Sequence, residues 1–306
     1  MGRYLVLRLG RAALTLIGIT VAVFILTHLV GDPVLRLLGA EATPQDVAAL
    51  RHTLGLDKPL YDQFWIFLGH AVHGNFGPSL FTRISSRTML LRALVPSLLL
   101  AGASMGLAVV VGIPAGILSA LSPGSRLDRL ISSVTTTGIA MPEFWLALIL
   151  IYIFGVDFHL LPTSGYGSWR NVILPALALS PHSVARIGQV TRSVMHDELR
   201  KDYVAVAYSK GLSSTYVVVH HALKNAALAI TTQVGLETAE LFAGRTIIIE
   251  TIFAWPGVGR LTSQALLESD YPLVQTMVLW GAFVTVTINL VVDLSYAWLD
   301  PRIRYS

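Results

Sequence analysis

Glu237, Glu240 and Arg245 lie within Ala222 to Ile249, a run that is otherwise largely apolar. Carboxylates three residues apart share one face of a helix, and a guanidinium in the same half of that helix is placed to balance them. Ionisable groups inside a membrane-length run each cost roughly 3 kcal/mol on insertion scales. They therefore mark either a substrate path or a charge cluster that holds a bundle together. Glu143 is a further candidate of this kind: it follows Met141-Pro142, where the polar ISSVTTTGIAMPEF gives way to WLALILIYIF. Glu250 and the turn Ala254-Trp255-Pro256-Gly257-Val258-Gly259 read as a re-entrant or external loop, because Gly and Pro permit irregular backbone where protein shields it. A gate and a rigid plug are both compatible with that pattern. Asn289, Asp293 and Tyr296 recur at intervals of four and three and read as one packing stripe.

Other chemistries are excluded by what the chain lacks. The sequence has no cysteine, which removes a disulfide framework, a thiolate metal site and a cysteine nucleophile together. No GxxxxGK[ST] phosphate loop occurs, so ATP hydrolysis must lie elsewhere. Ser, His and Asp are present without a strand-turn-helix elbow to seat a nucleophile. His220 and His221 are neighbours that point about 100° apart on a helix, and His159, His182 and His196 are scattered. A metal centre within the chain is not expected, nor is enzymatic activity.

The elements that must position these residues are membrane helices. Of 306 residues 54% are hydrophobic and only 13% charged, against about 25% charged in ordinary soluble domains. A span needs roughly 20 apolar residues, and six stretches qualify: Ala12 to Val30, Leu94 to Leu121, Leu130 to Val156, Asn171 to Val190, Ala222 to Ile249 and Leu273 to Leu299. The first follows Arg3, Arg8 and Arg11 and is read as an uncleaved anchor, being longer than a signal-peptide core. The fourth is interrupted by Ser180, Pro181, His182, Ser183 and Arg186, so it survives only inside a bundle. Basic residues concentrate at the N-terminus, in Ser122 to Arg129, after the fourth stretch and at the tail. The positive-inside rule therefore predicts six transmembrane helices with both termini cytoplasmic. The net charge of +4 follows from orientation in the bilayer, not from nucleic acid.

The fold class expected is thus an all-α integral membrane protein with a helical extracytoplasmic segment between its first two spans. The organisation expected is an N-terminal segment and first span over 1–30, the external segment over 31–92 and a five-helix core over 93–306. Thr43-Pro44-Gln45-Asp46 predicts a helix start that runs to Gly55. Leu60 to Val72 predicts an interfacial helix ending at Gly74. This segment is either a small cap on the bundle or a docking surface for an extracytoplasmic binding protein.

Between the fourth and fifth spans lies DYVAVAYSKGLSSTYVVVHHALKNA, Asp202 to Ala226, a helix-glycine-helix pattern centred on Gly211. Three further sets of phrases accompany it: Gly31-Asp32-Pro33-Val34; Leu54-Gly55-Leu56-Asp57-Lys58-Pro59-Leu60-Tyr61-Asp62-Gln63-Phe64 with Gly74-Asn75-Phe76-Gly77-Pro78-Ser79; and, in the C-terminal half, Glu250 to Arg260, Asp270-Tyr271-Pro272 and Leu299-Asp300-Pro301-Arg302-Ile303-Arg304. Together these resemble, over nearly the whole chain, the first permease subunit of the dipeptide/oligopeptide/nickel ABC importers. The resemblance implies a type I importer permease in a bacterial cytoplasmic (inner) membrane. It implies as partners a homologous second permease, one or two ABC ATPase subunits that bind ATP and Mg, and an extracytoplasmic substrate-binding protein. It implies that the chain holds no cofactor itself. It assigns ATPase coupling to a helix over 202–215, carried by Asp202, Tyr203, Ala207, Lys210, Gly211 and Leu212, with small residues seating the helix in a groove of the ATPase. The usual acid and first alanine of the coupling pattern are replaced by Ala205 and Val206. Translocation-path candidates are Glu143, Glu237, Glu240 and Arg245, and external loop or gate candidates are Glu250, Trp255, Pro256 and Gly257. Arg245 stands where related permeases carry small residues, which suggests a cavity tuned to carboxylate-bearing cargo. Peptides lead as cargo, with nickel or metal chelates and glutathione as alternatives. A membrane scaffold or receptor without transport is the alternative from another class.

Overall fold

The computed structural model describes residues 2–29, Val34, Leu38 and 42–299. The Gly31-Asp32-Pro33 phrase, the tail from Asp300 and the side chain of Tyr296 lie outside the described residues. Regular structure among the described residues is helical, with one isolated bridge between Pro78 and Ser85. The helices are α1 (Gly2–Leu29), α2 (Pro44–Leu54), α3 (Leu60–Val72), α4 (Ser86–Leu121), α5 (Arg126–Ala140), α6 (Glu143–Leu150), α7 (Trp169–Leu199), α8 (Asp202–Ser209), α9 (Ser214–Tyr216), α10 (Leu223–Glu240), α11 (Thr246–Ile252), α12 (Val258–Glu268) and α13 (Tyr271–Leu299). Wider π-helical turns follow α6 (Ile151–Asp157), α9 (Val217–Ala222) and α10 (Leu241–Arg245). Val6–Leu26, Ser86–Leu121 and Tyr271–Leu294 are long and apolar enough to cross a membrane, and α5 with α6 makes a fourth candidate if the bent pair is one span.

The described residues fall into two compact units. One comprises Gly2–Ser97 with Pro256–Val286. Here α2 starts as its sequence predicts: Thr43 Oγ1 accepts from Asp46 N, the Asp46 carboxylate accepts from Thr43 N, and Gly55 closes the helix at φ 68°. This reciprocal capping satisfies two backbone donors that a helix end leaves orphaned. Phe24 of α1 packs on Phe64 and Phe67 of α3, with ring centroids 5.3 and 5.8 Å apart. Asp270 is fully buried, accepting from Ser79 Oγ at 2.5 Å and Leu80 N at 3.2 Å. Two of the phrases that carried the family resemblance, Gly74 to Ser79 and Asp270 to Pro272, therefore meet through one carboxylate.

The other unit is Leu98–Trp255 with the stretch from Thr287. Its core gathers Leu100, Leu174, Leu179, Leu241, Ile249, Phe253 and Trp255, all nearly or fully buried. Helices α4 and α7 cross at glycines. A Cβ on Gly116 would lie 2.6 Å from Gly188 O and 2.6 Å from Thr191 Cβ, and one on Gly112 would lie 2.8 Å from Val184 O. Small residues spaced by four let helix backbones approach closely in membrane bundles. Gly116→Ala is expected to destabilise the protein by about 1–3 kcal/mol, read as lower thermal stability of the solubilised protein. Gly106→Ala, in the same helix with nothing within 4 Å of the added Cβ and ordinary helical backbone, serves as the comparison.

Two expected spans are not continuous. Leu130 to Val156 breaks at Met141-Pro142 into α5 and α6, bent by 101°. Pro142 carries no N–H and forces its predecessor out of helical backbone, and Met141 is extended at φ −79°, ψ 123°. Ala222 to Ile249 breaks at Gly244, whose φ of 137° lies in a region glycine tolerates. Pro175 and Pro181, by contrast, lie inside α7 without ending it.

Candidate functional site

The two broken helices and α7 converge on the charged residues. Arg245 donates from Nε and Nη2 to Glu143 Oε1 at 3.1 and 2.8 Å, and from Nη1 to Glu237 Oε2 at 3.0 Å. The same Nη1 lies 3.6 Å from Glu240 Oε2. Glu237 is 1% exposed and also accepts from Ser183 Oγ at 2.8 Å and Gln233 Nε2 at 3.0 Å, with Arg186 Nε 3.9 Å away. All four path candidates, Glu143, Glu237, Glu240 and Arg245, thus form one cluster. Arg245 reaches its carboxylates across the break at Gly244, not along one continuous helix. All three of its guanidinium nitrogens are engaged by carboxylates of its own chain.

Ser183, Arg186 and Gln233 belong to the cluster and were not singled out as site residues from sequence. The signal for two of them was present: the polar interruption from Ser180 to Arg186 in a stretch otherwise fit to be buried. His182, Glu237 and Glu240 also bring ligand atoms within 4.8 Å of one another. The Arg245 guanidinium already lies against both of those carboxylates.

Glu250 lies within α11 and Trp255 at the end of the following turn, and both are fully buried. Trp255 N donates to Glu250 O at 2.8 Å, and the Tyr166 ring meets the indole edge-on at 5.0 Å. Trp255 belongs to the core of its unit, so it is not a side chain displayed on a loop. Pro256 is exposed and Gly257, which precedes α12, is buried.

The segment assigned to coupling is a short helix with two faces. Val204 and Ala207 of α8 are buried against Val217, with Tyr203 and Leu212 packed alongside. Asp202, Ala205, Val206 and Ser209 are exposed. Ala207 therefore packs α8 against its own chain. The helix ends at Ser209 instead of running to Thr215. Lys210 is its exposed C-terminal cap, Gly211 turns the chain at φ 79°, and Ser213 caps α9 by accepting from Tyr216 N.

At the base of α8, Glu198 accepts from Lys201 Nζ at 2.5 Å and from the Tyr203 hydroxyl at 2.7 Å. Burial pulls the Glu198 carboxyl upward, but the hydrogen bonds from Lys201 and Tyr203 outweigh it and hold it below its ordinary value. The bond to Glu198 raises Lys201, and burial raises Tyr203. For Glu198 the depressed folded value means stabilisation present above about pH 4.3 and lost as pH falls through the folded value. For Lys201 and Tyr203 the raised values mean stabilisation present below about pH 10 and lost as pH rises through them. The protection of amides 202–209, taken as the exchange rate relative to the intrinsic rate at each pH, is expected to hold between those limits and to fall below about pH 4 in wild type, with Glu198→Gln abolishing the acid limb.

Comparison with known proteins bears on what this arrangement serves. Residues 112–305 match the family described as "Binding-protein-dependent transport system inner membrane component", and residues 1–79 match its N-terminal companion. The glutathione transport system permease protein GsiC of Escherichia coli (strain K12) is 39% identical over 307 residues, covering 100% of both chains. GsiC of Shigella dysenteriae serotype 1 matches to the same extent. Among solved structures, inward-facing conformations of the MetNI methionine ABC transporter superpose with TM-scores of 0.56 and 0.55 at 16% identity, covering 69% of this chain and 96% of theirs. At that identity the likeness concerns the fold.

Proposed function

The chain belongs to the binding-protein-dependent inner-membrane components, as an ABC-importer permease of the dipeptide/oligopeptide/nickel type, and on that premise we propose that it forms half of a translocation path for short peptides, glutathione foremost. It acts with a homologous second permease, ATPase subunits that bind ATP and Mg, and an extracytoplasmic binding protein that delivers cargo. The observation that carries the coupling role is the geometry of α8, whose inner face is fixed to its own chain while its outer face is free to meet a motor. ATP-driven closure of the motor subunits moves α8, and the movement passes into α7 through Glu198 and into α9 and α10 beyond Gly211. With α7 and the α10–α11 run counted among the spans, six helices place both termini and α8 on the cytoplasmic side. The cluster around Arg245 then lies on the path, and Trp255 with Glu250 forms a rigid plug packed into the bundle.

Full-length identity to a glutathione permease supports glutathione ahead of longer peptides. The test is uptake by the complete complex in vesicles, with its binding protein, using labelled glutathione against dipeptides, longer peptides and nickel. Saturable ATP-dependent glutathione uptake, competed weakly by dipeptides, is the expected result. Uptake of dipeptides or nickel in its place would overturn the cargo assignment, and absence of uptake with every cargo would overturn the transport role.

A further inference from the structure

We propose that Arg245 and its three glutamates form an exchangeable latch across the two helix breaks, an inference that rests on the permease reading above. Glu143 is the first residue after Pro142, where α5 and α6 part at 101°. Arg245 is the first residue after Gly244, where φ reaches 137°. The ion pair between them therefore joins two points at which the backbone has already left helical geometry. Movement there breaks few helix hydrogen bonds, because Pro142 has no N–H to lose and Gly244 carries no Cβ to clash.

The three carboxylates stand in different relations to the guanidinium. Glu143 holds two of its nitrogens on a single oxygen. Glu237 is the fixed partner, buried and held by Ser183 and Gln233 as well. Glu240 is 53% exposed and meets Nη1 only at 3.6 Å, an ion-pair distance too long for a hydrogen bond. It is a partner in reserve. If α6 swings away about Pro142, Glu143 leaves with it and Glu240 closes on the freed donors. Glu237 remains on Nη1 throughout, and Glu240 spares the Nε and Nη2 donors that Glu143 gives up the cost of being buried unpaired. Exchange of partners, not rupture of a pair, keeps two positions of α6 close in energy, as alternating access requires.

The test uses the complete reconstituted complex; this chain has no cysteine of its own, and any in the partner subunits are replaced so that labelling is specific. Spin labels at Leu148→Cys on α6 and Ile248→Cys on α11 occupy exposed positions on two helices that pack together. Their separation is measured without nucleotide and with ATP and vanadate, alongside ATP turnover with and without glutathione. The wild type is expected to show two different distances. Glu143→Gln is expected to shift the nucleotide-free distance toward the trapped one. Glu240→Gln, at a half-exposed site that tolerates the change, is expected to keep the nucleotide-free distance, lose the shift and lower stimulated turnover roughly tenfold, the effect of about 1.4 kcal/mol on the barrier. Wild-type behaviour of Glu240→Gln in both readouts would overturn the latch while leaving the permease reading intact. One unchanging wild-type distance despite stimulated turnover would do the same. No turnover stimulated by glutathione, dipeptides, longer peptides or nickel in wild type would remove the transport reading, and the latch with it.

Discussion

Replacing Gly211 by proline is expected to abolish cargo-stimulated ATP hydrolysis in a complex whose subunits remain associated. The Gly211 backbone sits at φ 79°, and its N–H donates to Tyr208 O at 2.9 Å. Proline is locked near φ −65° and has no N–H, so it offends twice, at a cost of about 3 kcal/mol or more. The turn must rebuild, and with it the link between α8 and α9 through which motor movement reaches the spans. Gly211→Ala is the graded control. A Cβ there meets nothing within 4 Å, so only the left-handed backbone is penalised, by roughly 1–2 kcal/mol, and stimulated turnover should fall partially. Turnover in lipid, with co-purification of all subunits as the assembly check, measures both. Normal stimulation by an assembled proline variant would end the coupling role for this turn.

The second large effect is expected at Arg245. Arg245→Met removes the cation that faces three carboxylates and leaves Glu237, at 1% exposure, with only the more distant Arg186 guanidinium at 3.9 Å as a counter-charge. Breaking one side of a buried pair costs about 3–5 kcal/mol, whereas replacing both sides by neutral groups is often close to neutral. The single variant should therefore lose thermal stability sharply, and Arg245→Met with Glu237→Gln should recover most of the loss. Ser183 and Gln233 can still hydrogen-bond the neutral amide, which is why the double variant is not simply worse. Equal melting of the single variant and wild type would mean that the cluster does not hold the unit together.

How far the sequence spoke depends on the range of each interaction. The start of α2 was legible in four residues, because a capping box and an N-terminal proline are local chemistry. The extents of α3 and the two-helix form around Gly211 were legible for the same reason. The candidate charges were legible individually, since an ionisable side chain inside an apolar run is conspicuous wherever it occurs. Their assembly was only half visible. Glu237, Glu240 and Arg245 are near in sequence, but Glu143 arrives from 102 residues away, and nothing local announces that meeting. The break at Gly244 was hidden because a glycine in a membrane-length run reads equally as a packing residue. The packing partner of Ala207 was hidden for a related reason. A small residue on a short helix signals close approach without saying by what, and here the approaching surface is Val217 of the same chain. Asp270 and Ser79 were recognised only as parts of familiar phrases, and their physical basis is a shared buried hydrogen bond across 191 residues.

The central claim is that the outer face of α8 is where the motor engages. Single cysteines placed at Val206, Ala205 and Ser209 on that face, and at Val204 on the inner face, can be tested for cross-linking to the ATPase subunit in the assembled complex. The account predicts efficient cross-links from the three exposed positions and none from Val204, which is 2% exposed. Cross-linking to the ATPase from other surfaces of the chain, with Val206, Ala205 and Ser209 all silent, would contradict it.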